Sequence, residues 1–248
     1  MKYKITDNFN NHYNLEIGDI INLIKNNPEK VFFKIINQSN HKINSKLVLN
    51  TRFICHRINT IDKLINIDNQ FGIELDVRDD HKSNKLILSH DPFVHGEYLE
   101  EYLKQYNHNT LILNIKSERV EIECLQLLKK YNIENFFFLD SSFPMIYLLY
   151  NKYNCSDSAC RFSEFENINV FLDNKKMFST LWIDCFTKFP LNNEIFDLIK
   201  NEHKKICIVS PELQKQPEKI QEYRDYIITN NIIPDMICTK YENIIKWI

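Results

Sequence analysis

The chain of 248 residues is 44% hydrophobic and 26% charged, enough apolar content to bury a sizeable core and too much for a disordered segment. Its formal net charge of −2 argues against a general nucleic-acid surface, which normally shows a clustered basic excess. With three glycines in all, Gly18, Gly72 and Gly96, no glycine-rich loop that cradles a dinucleotide or a nucleoside triphosphate can be drawn.

No run approaches the ~18 apolar residues of a membrane span, and the opening MKYKITDNFNNHY lacks the apolar core of a signal peptide. Seven cysteines with no C-x-x-C pair fit reduced thiols better than a disulfide framework or a zinc cage. Cys155 and Cys160 are the two that oxidation could join. A cytoplasmic protein is the expectation.

In chain order, residues 1–50 offer a helix around Leu15 to Lys25, with Ile17, Ile20, Ile21 and Ile24 on one side, and a strand VFFKII from Val31 to Ile36. They are expected to form an N-terminal α+β extension packed on the rest of the chain. From about residue 52, short apolar runs alternate with segments of helical period: RFIC, FGIELDV, KLILS, TLILNI, NFFFLD, SACRF, TLWIDCF, KKICIV and DMIC. Val120, Cys124, Leu127, Leu128 and Tyr131 recur at three and four residues and mark one helix face. Asn192 or Asn193 can cap a helix carrying Ile195, Leu198 and Ile199, and Pro217 can open another through Ile220, Tyr223 and Ile227.

Strand–helix repetition of this kind predicts an α/β domain over residues 51–248 with a parallel sheet. Nine runs are one more than an eight-stranded barrel uses, and only eight residues separate Val77 from Leu86, too few for a crossover helix. One of those two runs is therefore expected to pair as a hairpin or to connect without a helix. The span is also short for a (β/α)8 barrel, which typically takes about 250 residues, so some outer helices should be short or missing and the barrel irregular.

Three short segments at the ends of apolar runs carry chemistry: His56-Arg57, Glu74-Leu75-Asp76 and His90-Asp91-Pro92. Cleaving a phosphodiester needs a base for the oxygen nucleophile, an acid for the leaving alkoxide and positive charge on the non-bridging oxygens, and this set can supply all three. Glu74 and Asp76 are two apart, so on a strand they share a face while Leu75 and Val77 take the other. Two carboxylates that close repel unless a cation, a proton or an arginine intervenes, and a hard ion, Mg²⁺ or Ca²⁺, suits oxygen ligands better than zinc. By the same parity Asn114 and Lys116 share a face opposite Leu113 and Ile115. Arg161, Asp184 and Ser210 also end apolar runs and are further candidates for the rim of a barrel mouth. For each residue a plainer role exists: a hydrogen-bonded histidine, a solvated lysine, or a salt bridge between Arg57 and Glu74 or Asp76.

The stretches RFICHRINT, FGIELDVRDD and KLILSHDPF, in this order and each after a β-branched or aromatic run, resemble the strand-HRG, strand-E-x-D-V and strand-HDP pattern of the glycerophosphodiester phosphodiesterase family. The family's relatives include the phosphatidylinositol-specific phospholipases C. TLILNIKSE looks like the family's E-I-K strand and FFFLDSSF like its S-S-F strand, so the resemblance runs from about residue 52 to 248. It implies a small TIM-type (β/α)8 barrel with polar strand ends converging on one mouth. It further implies His56 and His90 as general acid and base, Arg57 and Lys116 on the phosphate, and Glu74, Asp76 and the Asn114 position as ligands of a divalent cation. The implied substrate is a small-molecule phosphodiester.

Two positions depart from the pattern. Ile58 stands where the family has the glycine of HRG, leaving Asn59 as the nearby residue able to take unusual backbone angles. Asn114 stands where the family has the glutamate of E-I-K, and its amide oxygen brings no charge, so a metal should bind more weakly. Three readings remain open: a metal-assisted phosphodiesterase, a metal-independent cyclising enzyme in which arginine replaces the cation, and a barrel that binds a phosphorylated ligand without turnover.

Overall fold

The computed structural model describes residues 2–6, 12–26, 34–35 and 43–248. In chain order its elements are β1 (Lys2–Thr6), β2 (His12–Glu16), α1 (Ile17–Asn26), β3 (Lys34–Ile35), α2 (Ser45–Asn50), β4 (Arg52–Cys55), α3 (Ile61–Leu64), β5 (Gly72–Asp80), β6 (Lys85–Leu88), β7 (Glu97–Tyr98), α4 (Leu99–Leu103) and β8 (Leu111–Ile115). Then come α5 (Glu121–Lys130), β9 (Phe136–Leu139), α6 (Phe143–Tyr153), β10 (Ala159–Phe162), α7 (Asn169–Asp173), β11 (Thr180–Ile183), α8 (Asn193–Asn201), β12 (Lys205–Val209), α9 (Ile220–Thr229), β13 (Met236–Thr239) and α10 (Ile244–Trp247).

Eight strands run parallel around a TIM-type ring. β4 pairs with β5, β5 with β8 and β8 with β9; β10 pairs with β11, β11 with β12, β12 with β13, and β13 returns to β4. Between β9 and β10 the contact thins to the bridge Phe138–Ser158, with the Phe138 N–H donating to the Asp157 carbonyl at 2.8 Å. This is the irregular seam of the barrel. The outer helices after β4 and β10 are short, four and five residues, as the length of the span leads one to expect.

The run in excess of eight is KLIL, β6, which turns back antiparallel on β5 with Val77 opposite Leu88 and Asp80 opposite Lys85. The turn chemistry explains it. The Asp80 carboxylate accepts from the Ser83 hydroxyl and from the Lys82 and Ser83 N–H groups, and Asn84 adopts φ 54°, a backbone setting that asparagine tolerates.

Alternation along the strands splits the apolar residues into two layers. Ile54, Ile112, Phe137, Leu139, Trp182, Val209 and Met236 fill the barrel interior. Phe53, Ile73, Leu75, Val77, Leu113 and Ile237 face outward into the layer shared with the helices. Leu75 and Val77 are completely buried there, each contributing about 1.5–3 kcal/mol of transfer free energy. Gly72 precedes Glu74 and Asp76 on the interior face; a Cβ on it would lie 2.2 Å from Ile54 Cδ1 and 2.9 Å from the Thr110 carbonyl oxygen, so only glycine fits.

Before the barrel, β1, β2 and β3 make a separate antiparallel sheet in the order β2-β1-β3. Ile17, Ile20, Ile21 and Ile24 of α1 are buried in the same apolar cluster as the barrel's outer layer. Leu15, expected in this helix, belongs to β2, and of the expected strand Val31 to Ile36 only Lys34–Ile35 lies within the described residues. Asn192 caps α8, its side chain accepting from the Ile195 N–H at 2.9 Å. Leu198 of that helix is exposed and Ile199 is buried, so the buried face is narrower than the spacing implies. All seven cysteines are free and buried, and among the described residues no helix is long and apolar enough to cross a membrane.

Candidate active site

The carboxyl ends of the parallel strands bring His56, Arg57, Glu74, Asp76, Asn114 and Lys116 into one contact network. β4 ends at Cys55, and the His56 N–H then donates to the Thr239 carbonyl at 2.9 Å. Arg57 takes φ 56°, a left-handed setting that disfavours any side chain by roughly 1–2 kcal/mol. That turn aims the Arg57 N–H at Glu74 Oε2, 2.7 Å away, and the Ile58 N–H at the Glu74 carbonyl, 2.9 Å away.

The residue with unusual backbone angles is thus Arg57. Asn59 works through its side chain instead: its Nδ2 donates to Asp76 Oδ2 at 2.8 Å and its Oδ1 accepts from the Asp76 N–H at 2.9 Å. Ile58, in place of glycine, is tied into the core, 7% exposed, and its carbonyl accepts from the Tyr102 hydroxyl at 2.8 Å.

Glu74 and Asp76 are both fully buried. Burial first, and the Asp76 charge second, push the Glu74 carboxyl well above the usual range, against hydrogen bonds from Asn114 and the Arg57 N–H. His56 Nε2 lies 3.8 Å from Glu74 Oε2, and Arg57 Nε lies 3.4 Å from Asp76 Oδ2. Burial, helped by the charge of Arg57 and opposed by Asp76, pushes the His56 imidazole down to about 4, so it is neutral at neutral pH.

Asn114 Nδ2 donates to Glu74 Oε1 at 2.8 Å, while Asn114 Oδ1 accepts from Lys116 Nζ at 2.6 Å. Lys116 Nζ also lies 3.2 Å from Asp140 Oδ2 and 3.6 Å from Asp76 Oδ1. From Asp140 the chain of charges continues: Arg161 Nε donates to Asp140 Oδ1 at 2.6 Å, Arg161 pairs with Asp184, and Asp184 accepts from Trp182 Nε1 and Gln214 Nε2 at 3.1 Å each. Ser210 is fully buried and bonded to Glu212 and to Trp247 Nε1, a wall contact.

His90 stands differently. Its ring is half-exposed and pairs with Asp91 Oδ1 at 2.7 Å, and its carbonyl accepts from the Arg78 guanidinium at 3.0 Å. Among the described contacts, no side-chain bond joins it to the Glu74–Asp76 network. The His90 hydrogen bond first, and then the charges of Arg57 and Arg78, hold Asp91 below the usual carboxylate range.

The barrel resembles solved glycerophosphodiester phosphodiesterases. The structure of a glycerophosphodiester phosphodiesterase from Agrobacterium tumefaciens str. C58 superposes with a TM-score of 0.58 at 14% identity, over 77% of this chain and 98% of that one. A glycerophosphoryl diester phosphodiesterase from Parabacteroides distasonis ATCC 8503 superposes with a TM-score of 0.53 at 14% identity, over 77% of this chain and 83% of that one. At this identity the likeness concerns the fold. No protein-family profile matches the chain, and no curated protein does.

Asp140 belongs to the network without having been singled out from the sequence. It ends the apolar run NFFFLD as His56 and Lys116 end theirs, and the same strand-end rule finds it. Like Arg57 it is left-handed, with φ 64°, which turns its carboxylate to a place that strand parity does not predict.

Proposed function

We propose that this chain is a phosphoric diester hydrolase acting on a small glycerophosphodiester-like substrate, with His56 and His90 as the proton-transfer pair. The observation that carries the reading is His56, Arg57 and Lys116 gathered on the Glu74–Asp76 pair at the barrel end where such folds hold their chemistry. The likeness in fold to glycerophosphodiester phosphodiesterases supports it. Half-buried and neutral, His56 is suited to take the proton from the attacking oxygen, a water or a hydroxyl of the substrate beside the phosphate. As that oxygen bonds to phosphorus, the departing ester oxygen takes a proton from His90, and the products are a phosphomonoester, or first a cyclic phosphate, and a free alcohol. Arg57 and Lys116 carry the positive charge that the non-bridging oxygens require.

A hard divalent cation, Mg²⁺ or Ca²⁺, belongs to this reading, held by Glu74 and Asp76. In its support, Asp76 Oδ1 is a buried carboxylate oxygen with no hydrogen-bond partner, which a cation would satisfy. Bound there, it would supply further charge to the phosphate oxygens. For Asn114 to add its oxygen beside Glu74, the amide would have to turn over and give up its present bonds to Glu74 and Lys116. The site then rests on two carboxylates, and the binding should be loose.

A second reading dispenses with the metal. The Lys116 ammonium sits among Asn114 Oδ1, Asp140 Oδ2 and Asp76 Oδ1, so an internal cation already answers part of the carboxylate charge. Turnover of glycerophosphodiesters in the presence of chelator separates the two: loss of activity that Mg²⁺ or Ca²⁺ restores favours the first, chelator-insensitive cleavage the second. Binding of glycerol phosphate without cleavage of any diester would favour a non-catalytic barrel. A cytoplasmic location accords with the seven free cysteines.

A further inference from the structure

Beside the mouth lies a cavity of about 480 Å³ that shares Lys116 with the network described above. Its walls come from the outer half of the β5–β6 hairpin, including Arg78 and Ile87, from the loop Pro92 to His95, and from Ser117. That volume is within the ~300–1,000 Å³ of sites that enclose a whole small ligand, and the loop in its wall begins at Pro92, two residues beyond His90.

Two features of the wall lack a partner. Phe93 is 93% exposed and its neighbour Val94 53%, adjacent apolar side chains with nothing packed over them, and Phe93 is held at φ 63°, a setting uncommon for a bulky residue. Arg78 Nε is buried without a hydrogen-bond partner, although the other end of the guanidinium is anchored on the His90 carbonyl. An apolar lip and a buried, unanswered donor, next to a lysine assigned to the phosphate, describe a site for a group that is apolar in its body and carries an oxygen acceptor.

We propose that this cavity receives the alcohol portion of the diester, and that it selects alcohols with an apolar body, aryl or acylated, over bare glycerol. Phe93 and Val94 cover that body and Arg78 donates to an oxygen on it. The proposal rests on the hydrolase reading for the place of the phosphate.

Phosphate and p-nitrophenyl phosphate share the phosphoryl group and differ in the apolar body, so calorimetric titration of each, with Mg²⁺ present and absent, reads the cavity directly. The wild-type protein should bind p-nitrophenyl phosphate about tenfold more tightly than inorganic phosphate, the size expected for covering one aromatic ring. Phe93→Ala, at a side chain with no packing role, should abolish most of that preference and leave the affinity for inorganic phosphate within about twofold. In turnover, KM for bis(p-nitrophenyl) phosphate should rise by a similar factor at unchanged kcat, with little change for glycerophosphoglycerol. No preference in the wild type, or a preference that survives Phe93→Ala, overturns the inference. So does a variant that keeps the preference but loses binding to phosphatidylcholine vesicles, which would make the loop a membrane contact. Failure to cleave any diester with the preference intact would sink the hydrolase reading, and with it the diester as occupant, and leave standing only the selection of an apolar body beside a phosphate.

Discussion

Lys116 donates to the Asn114 side-chain oxygen at 2.6 Å, and with that oxygen taken, the Asn114 amide nitrogen donates to Glu74 Oε1 at 2.8 Å. One amide thus joins a lysine to a buried carboxylate. Asn114→Glu removes the donor and sets a third carboxylate beside Glu74 and Asp76. Without a divalent ion the variant should melt below the wild type, because buried like charges repel. Added Mg²⁺ or Ca²⁺ should raise its Tm by more than it raises the wild type's and bind at least about tenfold more tightly, roughly 1.4 kcal/mol. Turnover need not improve, since the extra charge also repels phosphate. An equal metal response in both proteins would remove this position from the cation site.

Arg57→Lys keeps the charge and the backbone bond to Glu74 and loses the planar fork. If Arg57 grips two phosphate oxygens, kcat/KM should fall about 10- to 100-fold, roughly 1.4–2.7 kcal/mol. The side chain is 46% exposed, so the melting temperature should shift by no more than a few degrees. Full activity would leave Arg57 as a structural partner of Asp76.

The two shifted groups, His56 and Glu74, should act on stability in opposite directions. His56 is depressed from 6.5 to about 4 in the folded chain; its contribution is fully present above pH 6.5 and is lost as pH falls through the folded value. His56→Ala should therefore gain on the wild type between pH 7 and 4. Glu74 is raised from 4.5; its contribution is fully present below that value and is lost as pH rises through the folded one. Glu74→Gln should gain on the metal-free wild type between pH 5 and 8. Denaturant titrations at the pH extremes check both slopes, and a variant that tracks the wild type at every pH would show that its group does not titrate differently on folding. The acid limb of kcat/KM should likewise lie below the ordinary histidine range.

Gly72→Ala should destabilise the protein by about 1–3 kcal/mol, because the added carbon meets Ile54 and the Thr110 backbone. Thermal unfolding tests it; an unchanged Tm would mean that β4 and β8 can move apart at that level.

Period-2 alternation made much of this barrel legible in sequence: Glu74 and Asp76 face inward with Gly72, while Leu75 and Val77 face the helices. The eight-residue gap between Val77 and Leu86 excludes a crossover helix, and the antiparallel β5–β6 pair is one of the two connections it leaves open. What alternation could not supply were the backbone reversals. Arg57 and Asp140 both leave the strand in the left-handed region, which rotates each side chain off the strand's parity, so the Lys116–Asp140–Arg161 chain had no signature beyond polar residues at strand ends. Nor does residue type say which way an amide turns. Asn114 reads as a neutral metal ligand until Lys116 is found on its oxygen.

If His56 and His90 move the protons of diester cleavage, both must be needed for turnover and neither for folding. A phosphorus NMR time course of a glycerophosphodiester panel with wild type, His56→Ala and His90→Ala, each with Mg²⁺ or Ca²⁺ present, reads this directly. The wild type should convert diester to monoester or cyclic phosphate, and either variant should do so at least about 100-fold more slowly, with melting temperatures nearly unchanged. Wild-type protein that leaves every diester intact, or a folded variant as fast as the wild type, would contradict the proton-transfer roles of the two histidines.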